Sequence, residues 1–247
     1  MARRKDYLAA LGVEDWQQRR ALAVAVVKSA STHLQTQPIT PPLQPPAAVQ
    51  VMNDDSWESV AAEVAGCTRC GLHKCRNRTV FGVGDRNAKW LVVGEAPGAD
   101  EDEQGEPFVG RAGGLLNSMI RGIGLAREQV FIANVLKCRP PNNRDPAPDE
   151  VTQCLPYLER QIALLKPSIM LAVGRIAAQN LLATDTPIGK LRGHVHAFGN
   201  GKIPLVVTYH PAYLLRSPTE KRKAWEDLKL ARRVAGGKGS SAEVSRA

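Results

Sequence analysis

The chain has 247 residues, and its 33 Lys and Arg against 24 Asp and Glu give a formal net charge of +9 at pH 7. No apolar run approaches the roughly 18 residues of a membrane-spanning helix, and the short apolar run at residues 8–13 is too short for a secretory signal. We therefore expect no membrane association and a cytoplasmic location, which in a bacterium includes the nucleoid. The five Cys are then expected to be reduced, which favours metal binding, catalysis or inert thiols over disulfides.

The predicted N-terminal extension covers residues 1–53. Apolar faces predict short helices over residues 6–30, and five prolines between positions 38 and 46 predict a linker of polyproline character. Residues 54–235 form the predicted globular domain, whereas residues 236–247, rich in Gly and Ser, are predicted to be a disordered tail.

Four short apolar runs in the globular part predict buried strands, and helical patterns lie between and after them. The predicted strands are Trp90–Gly94, Val130–Val135, Ser168–Gly174 and Ile203–Tyr209, and the predicted helices are Gly113–Gly124, Asp149–Leu165, Arg175–Leu182 and Glu220–Val234. Asp149 is a predicted N-cap, and Pro156 is expected to kink or break the helix that follows it. Strands alternating with helices predict an α/β fold with a parallel sheet covered on both faces.

Polar side chains follow these strands at the point where each strand ends. Glu95 follows the first strand, Asn134 lies at the end of the second, Arg175 follows the third and His210 follows the fourth. Because ligands of open parallel sheets bind beyond the carboxyl ends of the strands, we expect an active site at this edge.

A Gly-rich, acidic segment, residues 94–116, joins the first strand to the next helix. It lacks the dinucleotide and phosphate-loop fingerprints, and an ordinary strand-to-helix loop is the simplest alternative. Against that alternative stands Phe108, an aromatic ring in a Gly-rich loop that suits stacking on a nucleobase. Six acidic residues crowd into or beside this loop, where they suit acid–base or cation-stabilising chemistry as well as a solvated surface: Glu95, Asp100, Glu101, Asp102, Glu103 and Glu106.

Two further polar residues on this edge suit recognition of a planar ligand. Asn134 offers both a donor and an acceptor, the complement of an imide edge such as that of uracil, although it also suits a strand cap. His210, directly before a proline, is able to donate to a carbonyl oxygen that gains negative charge, although a lone His is more often structural.

The cysteines form a Cys67-x2-Cys70 pair followed by the separate Cys138 and Cys154, with Cys75 left over as an expected unligated thiol. Four thiolates suit tetrahedral zinc or an iron–sulfur cluster, and spacing alone leaves both open.

Three motifs and four cysteines together closely resemble the family 4 uracil-DNA glycosylases, the iron–sulfur members of the uracil-DNA glycosylase superfamily. The motifs are GEAPGADEDEQGEPFVGRAG, NVLKCRPPNNRDP and HPAYLLR, and the resemblance runs from about Cys67 to Val234. It implies a three-layer α/β/α sandwich around a four-stranded, mainly parallel sheet. It also implies excision of uracil from single- or double-stranded DNA, which initiates base excision repair and leaves an abasic site. A [4Fe–4S] cluster would be held by Cys67, Cys70, Cys138 and Cys154.

The resemblance also implies roles for the motif residues. The flipped base would be bound by Ala96, Phe108, Asn134 and His210. Some relatives have Gly at the position of Ala96. His210 would also stabilise the leaving uracil anion. Glu101, with Glu95 near it and Asp102 as a third candidate, would orient or activate the water. Four basic residues are predicted to contact DNA phosphates, with a solvated surface as the alternative for each: Arg139, Arg144, Arg192 and Arg216.

Two other classes remain open on the residues alone. A non-enzymatic nucleic-acid-binding module with structural zinc explains the cysteines and the charge, but leaves Phe108, Asn134 and His210 unexplained. A nucleotide-binding metabolic enzyme is disfavoured because the phosphate-loop signatures are missing. We expect a monomer, with residues 1–53 as a candidate arm for docking a repair or replication partner.

Overall fold

The computed structural model describes residues 56–200 and 202–237. The predicted extension, residues 1–53, and residues 238–247 of the predicted tail lie outside the described residues. Within the described part, no helix is both long and apolar enough to cross a membrane.

A six-stranded sheet with the order β1-β3-β2-β4-β6-β5 forms the centre of the domain. The strands are β1 Val83–Gly84, β2 Trp90–Gly94, β3 Phe131–Asn134, β4 Ile169–Val173, β5 Val195–Phe198 and β6 Ile203–Thr208. The four central strands, β3, β2, β4 and β6, are parallel and coincide with the four predicted apolar runs. This confirms the predicted parallel sheet and places the carboxyl ends of β2, β3 and β6 along one edge.

The predicted number of four strands was wrong, because β1 and β5 add an antiparallel strand at each edge. Neither has the apolar run that marks a buried strand. β1 is only two residues long, and all four residues of β5 are at least partly exposed. Edge strands need only one buried face at most, so hydropathy gives little signal for them.

Eight α-helices of the described residues surround the sheet: α1 Trp57–Ala65, α2 Ala99–Gln104, α3 Arg111–Gly122, α4 Pro148–Leu165, α5 Arg175–Leu182, α6 Ile188–Leu191, α7 Pro211–Arg216 and α8 Lys221–Ala235. The four predicted helices correspond to α3, α4, α5 and α8. Of the others, α2 and α7 lie directly after strand ends and shape the cleft described below.

Helix α4 differs from its prediction in two ways. Its N-cap is Ala147 rather than Asp149, because Pro148 occupies the first helical position, where its missing N–H is no loss. The helix also continues through Pro156 without a break. Pro156 lies on the exposed side, while the neighbouring Tyr157 and Leu158 are buried in the core and hold the helix in place.

Each face of the sheet covers its own apolar core. Along β2, Leu91 and Val93 face a core that includes side chains of α1, α4 and α5, whereas Trp90 and Val92 face a core built with α3 and α8. Alternate residues of a strand point to opposite faces, so a fully buried strand must be apolar throughout. The result is the predicted three-layer α/β/α sandwich.

Candidate active site

An open cleft of about 510 Å³ lies at the carboxyl ends of the central strands. The structure brings most of the predicted site residues together in its lining: Glu95, Ala96, Glu101, Phe108, Asn134, Arg144, His210 and Arg216. These residues come from three separate segments of the chain, which are the three motifs. Their convergence follows from the parallel sheet, which delivers every strand end to the same edge.

Asn134 closes strand β3 and is almost completely buried, with 2% of its surface exposed. Its backbone carbonyl accepts a hydrogen bond from the Lys137 Nζ atom at 2.9 Å. Its side-chain oxygen Oδ1, in contrast, has no hydrogen-bond partner within residues 56–200 and 202–237. A buried acceptor left unpaired costs roughly 1–3 kcal/mol, so this atom is suited to meeting a donor on a ligand.

His210 is the N-cap of helix α7, and its Nδ1 atom accepts a hydrogen bond from the backbone N–H of Ala212 at 3.1 Å. Nδ1 therefore carries no proton, and in the neutral ring the proton lies on Nε2. Burial lowers the pKa of His210 to about 4, and the nearby Arg216 charge acts in the same direction. The imidazole is thus a neutral hydrogen-bond donor.

Phe108 lies beside His210, with 5.6 Å between the ring centroids and 30° between the ring planes. Its backbone has a positive φ of 55°, a conformation that costs a bulky residue roughly 1–3 kcal/mol. Such strain persists only where the surrounding structure imposes it, and it is concentrated at functional sites.

Two glycines make room for this arrangement. A Cβ atom on Gly94 would lie 2.6 Å from Phe108 Cζ and 2.4 Å from Asn134 Oδ1. A Cβ atom on Gly113, in the first turn of α3, would lie 1.8 Å from the carbonyl oxygen of Phe108. At these two positions only glycine leaves room for Phe108 in its observed position.

Glu101 anchors the loop that carries Phe108. Its Oε2 accepts the N–H of Gly98 at 3.0 Å, at the start of helix α2, and its Oε1 accepts the N–H of Val109 at 3.1 Å. Both carboxylate oxygens are thus engaged by backbone groups. Asp102, the third predicted carboxylate, is buried and accepts the N–H groups of Asn77 and Arg78 at 3.0 and 3.3 Å, so it is turned into the fold.

Glu95 directly follows β2 and lines the cleft. Burial raises the pKa of Glu95 to about 7, with a further increase from Asp145 and an opposing effect of Arg175. Asp145 also lines the cleft and forms an ion pair with Arg175, with 2.6 Å between Oδ2 and Nη2. A carboxyl group that titrates near neutral pH is suited to acid–base work.

The sequence predicts that Arg175 lies at this edge of the sheet but indicates no role for it, and it does not single out Asp145. The signal for Asp145 is its position in the second motif.

The four predicted phosphate contacts have different surroundings. Arg216 and Arg144 line the cleft, but Arg144 also makes a two-pronged ion pair with Glu150 at 2.6 and 2.9 Å. The Nε atom of Arg139 donates to Asn143 Oδ1 at 2.7 Å. Arg192 donates to both oxygens of the buried Asp227, at 3.0 and 2.9 Å, which commits its guanidinium to the fold.

Four cysteines line one small pocket, separate from the residues of the cleft: Cys67, Cys70, Cys138 and Cys154. Arg76 donates to Cys138 Sγ at 3.1 Å, and the backbone N–H of Lys137 donates to Cys154 Sγ at 3.2 Å. Burial raises the pKa of these two thiols, that of Cys154 to about 11. In the described part of the chain, no three His, Cys, Asp or Glu side chains form a ready-made metal site. Cys75 is exposed and donates to the carbonyl of Leu72.

Comparison with known proteins agrees with this geometry. The family model of the uracil-DNA glycosylase superfamily matches residues 81–229, a range that holds the whole lining of the cleft. A type-4 uracil-DNA glycosylase of Archaeoglobus fulgidus is 44% identical over 190 residues, covering 74% of this chain and 96% of that protein.

Two further relatives carry the same name. The type-4 enzyme of Sulfurisphaera tokodaii is 45% identical over 188 residues, covering 73% of this chain and 86% of that protein. That of Thermotoga maritima is 40% identical over 182 residues, covering 72% and 94%. The chain therefore belongs to the uracil-DNA glycosylase superfamily, and within it to the type-4 family.

Proposed function

We propose that this chain excises uracil from DNA by hydrolysing the N-glycosidic bond between the base and the deoxyribose, which leaves an abasic site. The observation that carries the proposal is the pairing of two groups in one cleft, the unpartnered buried Oδ1 of Asn134 and the neutral imidazole of His210. Together they match the hydrogen-bonding edge of a uracil base.

The base must first leave the helix stack, which costs a few kcal/mol in duplex DNA. In the cleft, the Phe108 ring would stack on the base, with Ala96 as part of the wall. Asn134 Oδ1 would accept the N3–H of uracil, and its amide group would donate to O4. Cytosine has no N3–H and carries an amino group in place of O4, so the same amide would reject it.

His210 would stabilise the departing base. When the C1′–N1 bond breaks, its electron pair stays with uracil, and negative charge develops on O2. Because Nδ1 accepts the N–H of Ala212, the neutral imidazole carries its proton on Nε2 and is able to donate it in a hydrogen bond to that oxygen. A preorganised donor of this kind typically contributes about 10²–10³ to the rate.

Glu95 would serve the sugar. With a pKa of about 7, a large fraction of this carboxyl is ionised at neutral pH, and the carboxylate both offsets the positive charge on the deoxyribose and orients a water molecule. The water oxygen bonds to C1′, its proton passes to Glu95, and the uracil anion takes a proton from solvent. Glu101 would act indirectly, since its two oxygens hold the Phe108 loop.

The four clustered thiols fit a [4Fe–4S] cluster, which we propose as the resident cofactor. The donor set is all thiolate, as such clusters require, and the N–H groups of Arg76 and Lys137 that point at sulfur would stabilise its negative charge. The cluster would cross-link the Cys67–Cys70 turn to Cys138 and Cys154, and no step of the hydrolysis involves it.

Residues outside the cleft complete the proposal. We propose that Arg216 contacts DNA phosphate at the cleft, because it lines the cleft and its positive charge already acts on His210. The monomeric state, the cytoplasmic location and a partner for residues 1–53 stay predictions.

A direct test uses an oligonucleotide with one deoxyuridine, single-stranded or paired, followed by alkaline cleavage at abasic sites. We expect cleavage at the deoxyuridine and none at a thymidine in the same position. Binding to DNA without base release would instead support the non-enzymatic nucleic-acid-binding module.

A further inference from the structure

Arg127 reaches the Phe108 loop from a distant part of the fold. It lies in a short turn before β3, and only 17% of its side chain is exposed. Its Nη2 atom donates to the backbone carbonyl of Pro107 at 2.6 Å and to Glu106 Oε1 at 2.9 Å. Its Nη1 atom donates to Asn117 Oδ1 on helix α3 at 3.0 Å.

Phe108 is therefore held from both sides. Arg127 binds the carbonyl of the residue before it, and Glu101 binds the N–H of Val109, the residue after it. Between these two anchors Phe108 has its left-handed backbone conformation. An aromatic residue leaves that conformation readily unless its neighbours are fixed.

We propose that Arg127 is a positioning residue for uracil excision, which acts by fixing the Pro107 carbonyl and thereby the Phe108 ring on the floor of the cleft. This inference rests on the proposed function. Arg127 itself touches no base: its guanidinium is committed to the loop and to α3. Without it, Phe108 relaxes toward negative φ, and its ring turns away from Gly94 and His210.

A purely structural role for Arg127 would lower stability and activity without regard to Phe108. A positioning role requires that the two residues depend on each other, because the side chain at position 127 matters only while the ring is there to be positioned. A double-mutant cycle separates these cases.

The experiment compares Arg127→Met in the wild-type and Phe108→Leu backgrounds by single-turnover uracil release with enzyme in excess. Loss of a charged donor to the loop predicts a decrease in the single-turnover rate constant of about tenfold to a hundredfold in the wild-type background. In the Phe108→Leu background we expect a change of less than about twofold. The same four combinations of residues 127 and 108 are also made in a His210→Ala background, where uracil release is slow. Their affinities for the uracil oligonucleotide then give the coupling between the two positions in binding alone.

Three variants serve as controls. Arg127→Lys keeps a donor for the Pro107 carbonyl and should recover part of the activity. Glu106→Gln removes the charge of a half-exposed partner but leaves the Pro107 contact, so it should stay within about twofold of wild type. Arg160→Met breaks a comparable ion pair, to Glu63 at 2.8 Å, and should lower stability without coupling to Phe108.

Equal losses in the two backgrounds, or coupling of the same size for Arg160→Met, would overturn the positioning role. A wild-type protein that releases no uracil would instead overturn the proposed function, so the two failures are distinguishable.

Discussion

The Nδ1 atom of His210 accepts a hydrogen bond from the backbone N–H of Ala212, two residues further along the chain, at 3.1 Å. This one bond caps helix α7, selects the tautomer of the ring and leaves the proton on the nitrogen that is free to meet a ligand. Because Pro211 between them has no N–H, the first unpaired donor of the helix is the one that His210 satisfies. The His210 side chain is thus both the cap of helix α7 and a candidate catalytic group.

The first prediction concerns stability in acid. The pKa of His210 is about 4 in the folded protein, against 6.5 ordinarily. The unfolded chain therefore takes up this proton first, and the free energy of unfolding decreases as the pH falls from 6.5 toward 4. The full contribution is about 3 kcal/mol, present above pH 6.5. Urea unfolding of wild type and His210→Gln at pH 7.5 and 4.5 measures this contribution, because glutamine does not titrate in that range. A stability difference between the two proteins that is independent of pH would contradict the buried neutral ring.

A second prediction concerns the pH dependence of activity. If ionised Glu95 is required, kcat/KM rises with pH through about 7 and then levels off. Asp145→Asn removes a neighbouring negative charge, lowers the pKa of Glu95 and moves the rise to lower pH. Arg175→Met removes a positive charge and moves it to higher pH. The exposed Asp185→Asn serves as the control and should leave the profile unchanged. Identical profiles for all four proteins would show that Glu95 does not govern the rate.

The third prediction compares two adjacent glycines of α3. Gly113→Ala places a Cβ atom 1.8 Å from the Phe108 carbonyl oxygen, whereas a Cβ on Gly114, apart from its chain neighbours and the nearby backbone of its own helix, has no atom of the described residues within 4 Å. We expect Gly113→Ala to destabilise the protein by at least about 3 kcal/mol and to reduce uracil release. Gly114→Ala should stabilise the helix by roughly 0.5–1 kcal/mol. Thermal unfolding and the release assay together measure both effects, and similar behaviour of the two variants would refute this role of Gly113.

A fourth prediction concerns the thiol pocket. Anaerobically purified protein should contain about four irons per chain. Cys154→Ser should lose most of the iron and unfold at a lower temperature than wild type. Cys75→Ser changes an exposed thiol outside the pocket and should keep the iron content and the unfolding temperature of wild type. If the protein contained stoichiometric zinc and no iron, the proposal of a cluster would be contradicted and a structural zinc site would be indicated.

Much of the fold follows from simple patterns, because a parallel strand buried on both faces must be apolar throughout. β2 and β4 are recognisable for that reason, and their ends locate Glu95 and the cleft. Two-residue β1 and half-exposed β5 carry no such constraint. Pro156 misleads for a related reason, since packing of Tyr157 and Leu158 outweighs a local propensity.

The roles within the site are harder to predict than its location. Residue type marks Glu101 and Arg192 as candidates for chemistry or phosphate contact. Their partners, however, are backbone N–H groups and a buried Asp227 that only the folded chain brings near. Arg127 belongs to none of the three motifs, and its proposed role depends on the carbonyl of Pro107, 20 residues away in sequence.

Stabilisation of the departing uracil anion by a neutral His210 is measured most directly by the single-turnover rate of uracil release by wild type and His210→Ala. The proposal predicts release by wild type and a rate about 10²–10³ lower for the variant, with unchanged affinity for DNA. Equal rates for the two proteins, or no release by wild type, would contradict it.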